Sequence, residues 1–546
     1  MIFSGRVFLK LGVLLAGGIF LVRSEKCVSK DFGNGGTVCV CNSTYCDTYE
    51  PVKPVPSNQY IVITSNKAGL RFNKDIRNFT SNTSGKQCVI PKDDKVCETV
   101  RTTDYKVCGA SPKSLLTSGS TIYIDSSIGY QEIKGFGGAI TDAAMVNVAN
   151  MSASLKKHLL RSYFSHDGLN YTIARVPMGS TDFSTRLYSY IDSDTNEVNC
   201  VDHTLKNFKL APEDINLKIP FIHEALKLQK NLKLFTSTWV IPKAYKENNS
   251  YMGFVGFVRK EVYQLLANYY VKFFDLYKQH NLTFWGLTTS NEPFIAMAEY
   301  VGTPGTLWYP EDLGYWIRDY LGPTLKKSAH KHLTLMTVDD QRSLLPFVPQ
   351  ILRDNKTKEY VDGIAVHFYK DLNNNTYLLD DVHKQYPDKF LLATEACVGT
   401  MGVVLGDWSK GEVYAYDIMQ DLNHWVTGWV DWNIVLDDKG GPTIAAGRDS
   451  PIISIKSEFY KQPLYYAIGH YSKFLPVGSK RIYSSQCNAD HLVSQVAFKR
   501  PDSGIVVIIL NRHDQPVQRK LIDCKRNSTS ITLDLSAHSI TTVLYW

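Results

Sequence analysis

The chain has 546 residues, of which 44% are hydrophobic and 21% are charged, and its formal net charge is +7. This composition excludes a disordered chain, and the length suits a barrel with one or two additional domains. Basic residues are scattered rather than clustered, which argues against a nucleic-acid surface and leaves only a mild attraction to anionic lipid.

Residues 1–24 are predicted to be a cleaved signal peptide. Arg6 and Lys10 precede an apolar stretch from Leu11 to Val22, and small residues follow it. Because Lys10 leaves an apolar run shorter than a membrane span, export is favoured over the alternative of a retained membrane anchor. No later segment is long and apolar enough to span, so we expect no transmembrane segment and an exported chain.

The cysteines indicate a disulfide-stapled β module in residues 25–52. Four of the eleven, Cys27, Cys39, Cys41 and Cys46, lie close together and allow three pairings. Behind an export signal, disulfides are favoured over a zinc site. The odd total leaves at least one thiol unpaired within the chain. The pairing of the later cysteines stays open: Cys88, Cys97, Cys108, Cys200, Cys487 and Cys524.

Sequons for N-glycosylation support an exported chain, although chance produces several of them in a sequence this rich in asparagine. The acceptor asparagines are Asn42, Asn78, Asn82, Asn150, Asn170, Asn248, Asn281, Asn355, Asn374 and Asn527.

Residues 131–480 repeat one pattern, in which an apolar β-prone run ends in polar or small residues and a helix-capable stretch follows. Eight such runs, starting roughly 40 residues apart on average, predict a (β/α)8 TIM barrel. Val262–Gln279 and Pro310–Lys327 are credible helices between them. The candidate barrel strands are Ile133–Gly138, Tyr171–Pro177, Lys233–Trp239, Thr283–Ser290, Leu333–Val338, Gly363–Tyr369, Phe390–Glu395 and Gly428–Asn433.

The flanking regions predict a β-sandwich. Residues 53–130 contain the strand-like runs Tyr60–Phe72 and Thr121–Asp125, which are expected to join residues 481–546. The fold class is therefore α/β: a barrel with an attached C-terminal β-sandwich and the small N-terminal module. The C-terminal candidate strands are His491–Phe498, Gly504–Leu510, Gln518–Ile522, Ser530–Leu535 and Thr541–Trp546.

Two glutamates, Glu292 and Glu395, follow apolar runs and fall at the carboxyl ends of the fourth and seventh candidate strands. Their separation is about three βα units, so both can reach the mouth of the barrel where active sites form. Most glycoside hydrolysis needs such a pair, spaced about 5–5.5 Å apart for retention of configuration and about 6.5–9.5 Å for inversion. The alternative is that each is a salt-bridged residue of the rim.

Four neighbouring positions are further candidates. Asn291 could bind a sugar 2-hydroxyl, and Pro293 restricts the backbone of Glu292. Arg175 could hold a carboxylate, and Asp182 could bind sugar hydroxyls. The alternative for Arg175 and Asp182 is a structural ion pair between barrel loops.

Aromatic residues close other strands. Trp239 and Trp432 are placed to stack on a sugar, or else they belong to the core. His367 and Tyr369 could orient the nucleophile or fill the top layer of the barrel. No cluster has metal-ligand spacing beyond the N-terminal cysteines, and Gly135–Gly138 is interpreted as a tight turn rather than a phosphate loop, so we expect no metal and no cofactor.

These residues resemble the acid β-glucosidase (glucosylceramidase, glucocerebrosidase) family of retaining glycoside hydrolases. The matching segments cover most of the chain after the signal peptide, and their order makes the set specific. They are 39–42 with Cys46, 135–139, 175–178, 182–184, 291–293, 339–342, 367–369, 394–399, 428–433 and 459–463.

The resemblance implies a barrel with a β-sandwich, Glu292 as acid/base and Glu395 as nucleophile. It also implies sugar contacts from Asp182, Trp239, Asn291 and Trp432, the pairs Cys27–Cys39 and Cys41–Cys46, and a free thiol at Cys397. The implied substrate is glucosylceramide, at an anionic phospholipid surface and with a saposin-like activator as a candidate partner. The implied location is the lysosomal lumen or the exterior, peripheral to a membrane.

Other substrates and one other class of function remain as alternatives. Within the enzyme class these are steryl or plant glucosides; outside it, a catalytically silent glycolipid-binding or chaperone-interacting protein. The loops that would shape the aglycone entrance depart from the family. Ala244 stands where the family has a second tryptophan, Tyr300 does not align cleanly with a rim tyrosine, and Gly440–Asp449 diverges. An insert with Cys88, Cys97 and Cys108 is expected to be an extra stapled loop.

Overall fold

The computed structural model describes residues 24–81, 121–191, 204–294, 303–371, 375–399, 402–486, 490–526 and 529–546. Within these ranges no helix combines the length and apolar character needed to cross a membrane. Several predicted features lie outside the described residues: the signal peptide up to residue 23, the insert with Cys88, Cys97 and Cys108, Cys200, Cys487, Tyr300, and the sequon residues Asn82, Asn374 and Asn527.

The described residues of the N-terminal part, 24–81 and 121–132, form strands. Both disulfides implied by the resemblance, Cys27–Cys39 and Cys41–Cys46, are confirmed. The strands are β1 (Ser29–Asp31), β2 (Thr37–Cys41), β3 (Gln59–Asn66), β4 (Asn73–Asn78), β5 (Thr80–Ser81) and β6 (Thr121–Glu132).

Eight parallel strands close into the predicted barrel, so the predicted fold is confirmed. Its interior is filled by one apolar side chain from each of six strands, among them Ile173, Met336 and Val430. The barrel strands are β7 (Gly135–Ala139), β8 (Ile173–Met178), β9 (Lys233–Thr238), β10 (Gly286–Thr288), β11 (Thr334–Gln341), β12 (Gly363–His367), β13 (Phe390–Glu395) and β14 (Val426–Asn433).

The interpretation of Gly135–Gly138 as a tight turn is wrong, because these residues form most of β7. Their glycines are needed for close strand approach. A Cβ on Gly137 would lie 1.8 Å from the carbonyl oxygen of Ile173 on β8, so only glycine fits at this position.

The helices pack around the barrel through periodic apolar faces. In α4, the buried residues Leu266, Tyr270, Phe273 and Tyr277 recur at intervals of three or four positions, which places them on one side. The helices are α1 (Asp142–Ala149), α2 (Ala153–Phe164), α3 (Ile219–Leu228), α4 (Tyr263–Gln279), α5 (Pro310–Trp316), α6 (Gly322–Lys327), α7 (Val348–Ile351), α8 (Asn355–Tyr360), α9 (Tyr377–Gln385), α10 (Trp408–Asn423) and α11 (Pro463–Ser472). A π-helical turn, Ile317–Leu321, joins α5 to α6.

The stapled module does not form a sheet alone. Three strands from late in the chain, β15 (Leu436–Asp437), β16 (Ile452–Ile455) and β17 (Glu458–Lys461), complete a five-stranded sheet in the order β1-β2-β17-β16-β15. Pairing of β17 with β2 brings Phe459 opposite Cys41. The disulfides therefore lie against residues more than four hundred positions away, which a local sequence pattern does not predict.

A ten-stranded sheet forms the β-sandwich region, and the predicted contribution of N-terminal strands is confirmed. Its order is β4-β3-β23-β20-β19-β18-β6-β21-β22-β5. Strand β18 was not predicted, and the predicted run Thr121–Asp125 ends seven residues before β6 does. The C-terminal strands are β18 (Lys480–Gln486), β19 (Val493–Lys499), β20 (Ile505–Asn511), β21 (Val517–Asp523), β22 (Thr529–Leu535) and β23 (Ser539–Tyr545).

Candidate active site

The two predicted carboxylates meet at the carboxyl end of the barrel. Glu395 is the last residue of β13, and Glu292 lies just beyond β10. An oxygen of each carboxylate and a ring nitrogen of His367 all lie within 4.8 Å of one another. The structure therefore brings Glu292 and Glu395 into one site instead of leaving them on opposite parts of the rim.

Arg175, on β8, is fully buried and contacts three acceptors of the site. Its Nη1 donates to Glu395 Oε2, and its Nη2 donates to Asp339 Oδ2 at 2.7 Å and to Asn291 Oδ1 at 2.9 Å. Such charge-assisted bonds fix both partners. The alternative ion pair between Arg175 and Asp182 is not what forms, because the guanidinium is committed to Asp339 and Glu395.

Asp339 is a buried carboxylate that accepts hydrogen bonds from four side chains, and it was not among the predicted site residues. Besides Arg175 it accepts hydrogen bonds from Thr288 Oγ1 at 2.7 Å, Thr394 Oγ1 at 2.6 Å and His367 Nε2 at 3.1 Å. Although burial alone would raise it, the cations Arg175 and His367 hold the pKa of Asp339 well below its usual range. The only sequence signal for this residue is its place in the segment 339–342, which carries the family resemblance.

The backbone that presents Asp339 is irregular. Val338 and Asp339 have φ values of +74° and +51°, and the pairing of β11 with β12 shifts register between Val338 and Asp340. Positive φ is costly for a β-branched residue and persists where the surroundings demand it. The shift turns two consecutive carboxyl groups, Asp339 and Asp340, into different parts of the buried site.

Two side chains hold Glu292 by the same oxygen. Gln341 Nε2 donates to Glu292 Oε1 at 2.8 Å, and His367 Nδ1 lies 3.0 Å from it. Burial alone would lower the pKa of His367. The negative charges of Glu395 and Asp339 outweigh that effect and raise the pKa to about 10. The imidazolium then donates from both ring nitrogens. His367 thus contacts Glu292 and Asp339, while the two predicted alternatives for it were to orient the nucleophile or to fill the top layer of the barrel.

The backbone at Glu292 also differs from the expectation. A following proline normally favours an extended conformation, yet Glu292 has φ +41°. The peptide is held instead by hydrogen bonds, from Glu292 N to Asp339 O at 2.9 Å and from Asn291 N to Thr238 O at 2.8 Å. Contacts with β9 and β11, and not Pro293 alone, therefore set the direction of Glu292.

Glu395 is bound on both oxygens. Tyr369 Oη donates to Oε1 at 2.6 Å, and Arg175 contacts Oε2. Burial raises the pKa of Glu395, while the positive charges of His367 and Arg175 and the bond from Tyr369 oppose that shift. The pKa of Glu395 stays raised overall, because the two cations and Tyr369 offset only part of the cost of burying the charge, while their contacts give the carboxylate one orientation.

The predicted sugar contacts lie on the same side of the barrel. The indole rings of Trp239 and Trp432 stack on each other, with centroids 4.8 Å apart and planes inclined by 16°. The Arg175 guanidinium lies 4.6 Å from the Trp239 ring. Burial, together with the charges of Glu395 and Glu292, raises the pKa of Asp182 to about 7.

One of the diverging loops reaches this region. The backbone carbonyl of Asp182 accepts hydrogen bonds from Ile444 N at 2.9 Å and from Thr443 Oγ1 at 2.8 Å. Residues 440–449 therefore lie beside the predicted sugar contact. Ala244 lies in a short 3-10 turn, Lys243–Tyr245, that follows β9.

Three groups of ligand-type side chains converge within the described ranges, but each is already committed. Cys41 and Cys46 form a disulfide beside Asp47, and His367 bonds Glu292 and Asp339. The third group surrounds a guanidinium instead of an open space: Arg342 Nη2 contacts Asp371, Asp417 and Asp421 at 2.8, 3.5 and 2.6 Å.

Among the described cysteines, Cys397 is a buried free thiol, as the resemblance implied, and Cys524 is disulfide-bonded. For six of the seven described sequon asparagines, glycan attachment stays a prediction. Asn248 is different, because its Nδ2 donates to Met252 O at 2.9 Å and to Phe254 O at 2.7 Å. A glycan on that nitrogen would remove one of these bonds. The other six, all at least partly exposed, are Asn42, Asn78, Asn150, Asn170, Asn281 and Asn355.

Comparison with known proteins supports the family resemblance over most of the chain. Residues 133–475 match the glycosyl hydrolase family 30 TIM-barrel domain, and residues 478–543 match the glycosyl hydrolase family 30 beta sandwich domain. The chain is 37% identical over 516 residues to lysosomal acid glucosylceramidase of Mus musculus, with 92% of each chain covered.

Solved structures share the architecture at lower identity. SrfJ from Salmonella typhimurium superposes with a TM-score of 0.76 at 24% identity, covering 89% of this chain and 99% of that one. The endo-β1,6-glucanase BT3312 gives a TM-score of 0.71 at 21% identity, covering 89% of this chain and 99% of that one. At these identities the likeness concerns the fold alone.

Proposed function

This chain belongs to glycosyl hydrolase family 30, and on that premise we propose that it is a retaining β-glucosidase that hydrolyses glucosylceramide to glucose and ceramide. The observation that carries the proposal is the pair Glu292 and Glu395, with carboxylate oxygens within 4.8 Å. That spacing is compatible with the separation of about 5–5.5 Å between carboxyl groups in retaining enzymes, and it is short for inversion.

Glu395 is the proposed nucleophile. Its carboxylate attacks the anomeric carbon, and the bond from that carbon to the ceramide oxygen breaks. Arg175 and Tyr369 support this role, since they fix both oxygens and stabilise the charged form before attack. The product of this step is a covalent glucosyl-enzyme ester.

Glu292 is the proposed acid/base. In the first step it gives its proton to the departing ceramide oxygen, and in the second it takes a proton from the water that attacks the ester. Gln341 and His367 both bind Oε1, so they hold the group in one orientation through both steps.

The proposed glucose contacts are Asp182, Asn291, Trp239 and Trp432. Asn291 is held by Arg175 with its side-chain oxygen, which leaves its amide group available for a 2-hydroxyl in the transition state. The paired indoles of Trp239 and Trp432 offer a flat apolar surface to the sugar.

The lipid substrate and the location rest on similarity. A relative named lysosomal acid glucosylceramidase covers nearly the whole chain. We propose accordingly that the chain carries a cleaved signal peptide, acts in the lysosomal lumen or outside the cell, and meets its substrate at an anionic phospholipid surface with a saposin-like activator. N-glycans on the exposed sequons are part of the same proposal.

The test is release of glucose from glucosylceramide in vesicles that contain anionic phospholipid, at mildly acidic and at neutral pH. Wild type should release glucose, faster in acid, and Glu395→Gln should release none. Glu359→Gln, on the exposed surface of α8, is the matched control and should behave as wild type. The configuration of the first-formed glucose, followed by NMR, tests retention.

Three outcomes would change the proposal. Cleavage of a soluble aryl β-glucoside without cleavage of the lipid would remove the ceramide assignment and keep the glycosidase. First-formed α-glucose would replace the covalent mechanism by inversion. Inactivity on both substrates would favour a glycolipid-binding role.

A further inference from the structure

Two loops at the carboxyl end of the barrel are joined edge to edge. Residues 239–259 follow β9, and residues 303–309 belong to the connection that follows β10. Three backbone hydrogen bonds of 2.9 to 3.0 Å link them. The donors are the amides of Gly253, Gly305 and Leu307, and the respective acceptors are the carbonyls of Thr303, Tyr251 and Gly256.

Lys246 lies inside this pair of loops with no exposed surface. Its Nζ donates to the carbonyl of Met252 at 2.7 Å, in its own loop, and to the carbonyl of Gly305 at 2.5 Å, in the neighbouring one. The space for the ammonium depends on Gly256, where a Cβ would lie 2.6 Å from the Lys246 Cε and 2.8 Å from its Nζ. One side chain therefore crosses from one loop to the other.

The second loop is bonded in turn to the active site. Thr306 Oγ1, next to Gly305, donates to the carbonyl of Trp239 at 2.8 Å. Trp308 N donates to the carbonyl of Pro293 at 3.1 Å, directly after Glu292. A shift of residues 303–309 would consequently move the backbone on either side of the sugar: at a predicted stacking residue and at the proposed acid/base.

Stability does not explain a lysine at this position. Within the described ranges no carboxylate forms an ion pair with Lys246, and burial lowers its pKa to about 7. Taking an unpaired ammonium out of water costs free energy that an apolar side chain of the same length would not cost. What the lysine supplies is two directed hydrogen bonds, one to the carbonyl of Gly305 and one to the carbonyl of Met252, which also accepts from Asn248 Nδ2 at 2.9 Å.

We propose that Lys246 is a positioning residue of the active site, which ties the β9 and β10 loops together and thereby fixes Glu292 for proton transfer to the leaving group. The inference rests on the proposed function for its catalytic part, while the tie between the loops is independent of it. The Lys246 ammonium bonds backbone carbonyls of the two loops and not the carboxylates of Glu292 and Glu395.

The experiment compares Lys246→Met with wild type on two β-glucosides. The dinitrophenolate of a dinitrophenyl glucoside departs without protonation, whereas the alkoxide of an alkyl glucoside must be protonated by the general acid as it departs. The variant should lose about tenfold or more in kcat/KM on the alkyl glucoside and much less on the dinitrophenyl glucoside, because kcat/KM reports the first step, in which only the alkyl leaving group needs the acid. Hydrogen exchange should rise at least about tenfold in peptides that cover residues 303–309, and not in β13.

Lys233→Met is the matched control. Lys233 is only partly buried, but like Lys246 it has a lowered pKa and donates to a backbone carbonyl, that of Lys134 at 3.1 Å. It starts β9 at the opposite end of the barrel. It should change neither the leaving-group dependence nor exchange in residues 303–309. Gly256→Ala displaces the ammonium without removing it and should reproduce the pattern expected of Lys246→Met. It provides the test if Lys246→Met fails to fold.

Equal losses on the two glucosides, or the same losses in Lys233→Met, would overturn the positioning role. Unchanged exchange in residues 303–309 in both Lys246→Met and Gly256→Ala would overturn the tie between the loops. Failure of the wild-type chain to cleave either glucoside would instead refute the proposed function, and the exchange result would still decide the tie.

Discussion

Replacing Asp339 by Asn removes one negative charge from the centre of the site with almost no change of shape. Arg175 and His367 would both lose their common buried partner. Arg175 would keep Glu395 and Asn291, but His367 would keep only Glu292. The supports of both proposed catalytic carboxylates therefore change in one substitution.

The expected loss of folding free energy is about 3 kcal/mol, at the lower end of the range of about 3–5 kcal/mol for breaking a buried ion pair, because an amide oxygen still accepts one bond. Turnover by the folded protein should fall by about 100-fold, the loss that a displacement of about 1 Å produces.

The pH dependence of this loss follows from the two shifted groups. The pKa of Asp339 is depressed, so its contribution is present above about pH 4 and is lost as the pH falls through the folded value. The pKa of His367 is raised to about 10, so its contribution is complete below about pH 6.5 and is lost as the pH rises through about 10. Between about pH 5 and 6.5 both are ionised, and the loss should be constant.

Urea unfolding at several pH values measures the stability, and a covalent 2-deoxy-2-fluoroglucoside measures the fraction of nucleophile that still reacts. Asp214→Asn is the control, because Asp214 is an equally buried partner of Lys218 outside the site. It should lose stability and keep turnover. A loss below about 1 kcal/mol for Asp339→Asn, or a loss of turnover no larger than that of the control, would refute the reasoning.

Two further predictions concern one hydrogen bond and one buried cluster. Tyr369→Phe removes the bond to Glu395 Oε1, which at about 1.5–3 kcal/mol should slow formation of the glucosyl-enzyme by roughly 10- to 100-fold in stopped-flow measurements; an unchanged rate would show that Arg175 alone suffices. Asp421 is one of three carboxyl groups around Arg342, and burial raises its pKa to about 7. Its contribution to the free energy of unfolding is therefore lost as the pH rises through that value. Asp421→Asn should therefore gain Tm relative to wild type from pH 5 to pH 8, and a constant difference would contradict this.

The barrel was predictable because each strand is a local pattern, but strand lengths were not. Phe390–Glu395 has the predicted bounds, whereas only Gly286–Thr288 of the predicted run 283–290 pairs with its neighbours. In the opposite direction β11 continues to Gln341, past the predicted end at Val338. The continuation depends on the register shift opposite β12, a tertiary feature that periodicity does not carry.

The proposed catalytic pair was predictable for a different reason from its supports. Glu292 and Glu395 follow apolar runs, and the ends of barrel strands meet at one face. Asp339 and Gln341 gave no separate signal, because the sequence does not show which side chain an aspartate or a glutamine contacts in the fold. Lys246 likewise reads as an ordinary loop lysine, and only its burial between two carbonyls distinguishes it.

The charges of the site indicate why the proposed activity should be higher at mildly acidic pH. Two cations, Arg175 and His367, face the carboxylates of Asp339 and Glu395, so these four groups are balanced. Two further carboxyl groups, the partly buried Asp182 and the buried Asp340, have pKa values raised to about 7 and about 8, in both cases first by desolvation and then by neighbouring carboxylates.

In mild acid Asp182 and Asp340 are neutral and leave that balance intact; as the pH rises through 7 to 8 they ionise and add uncompensated negative charge beside the proposed nucleophile and acid/base. Carboxyl groups with raised pKa values stabilise the folded site only while they are protonated. The acid preference proposed for this chain therefore follows from the number of carboxyl groups buried around two cations, and not from any single residue.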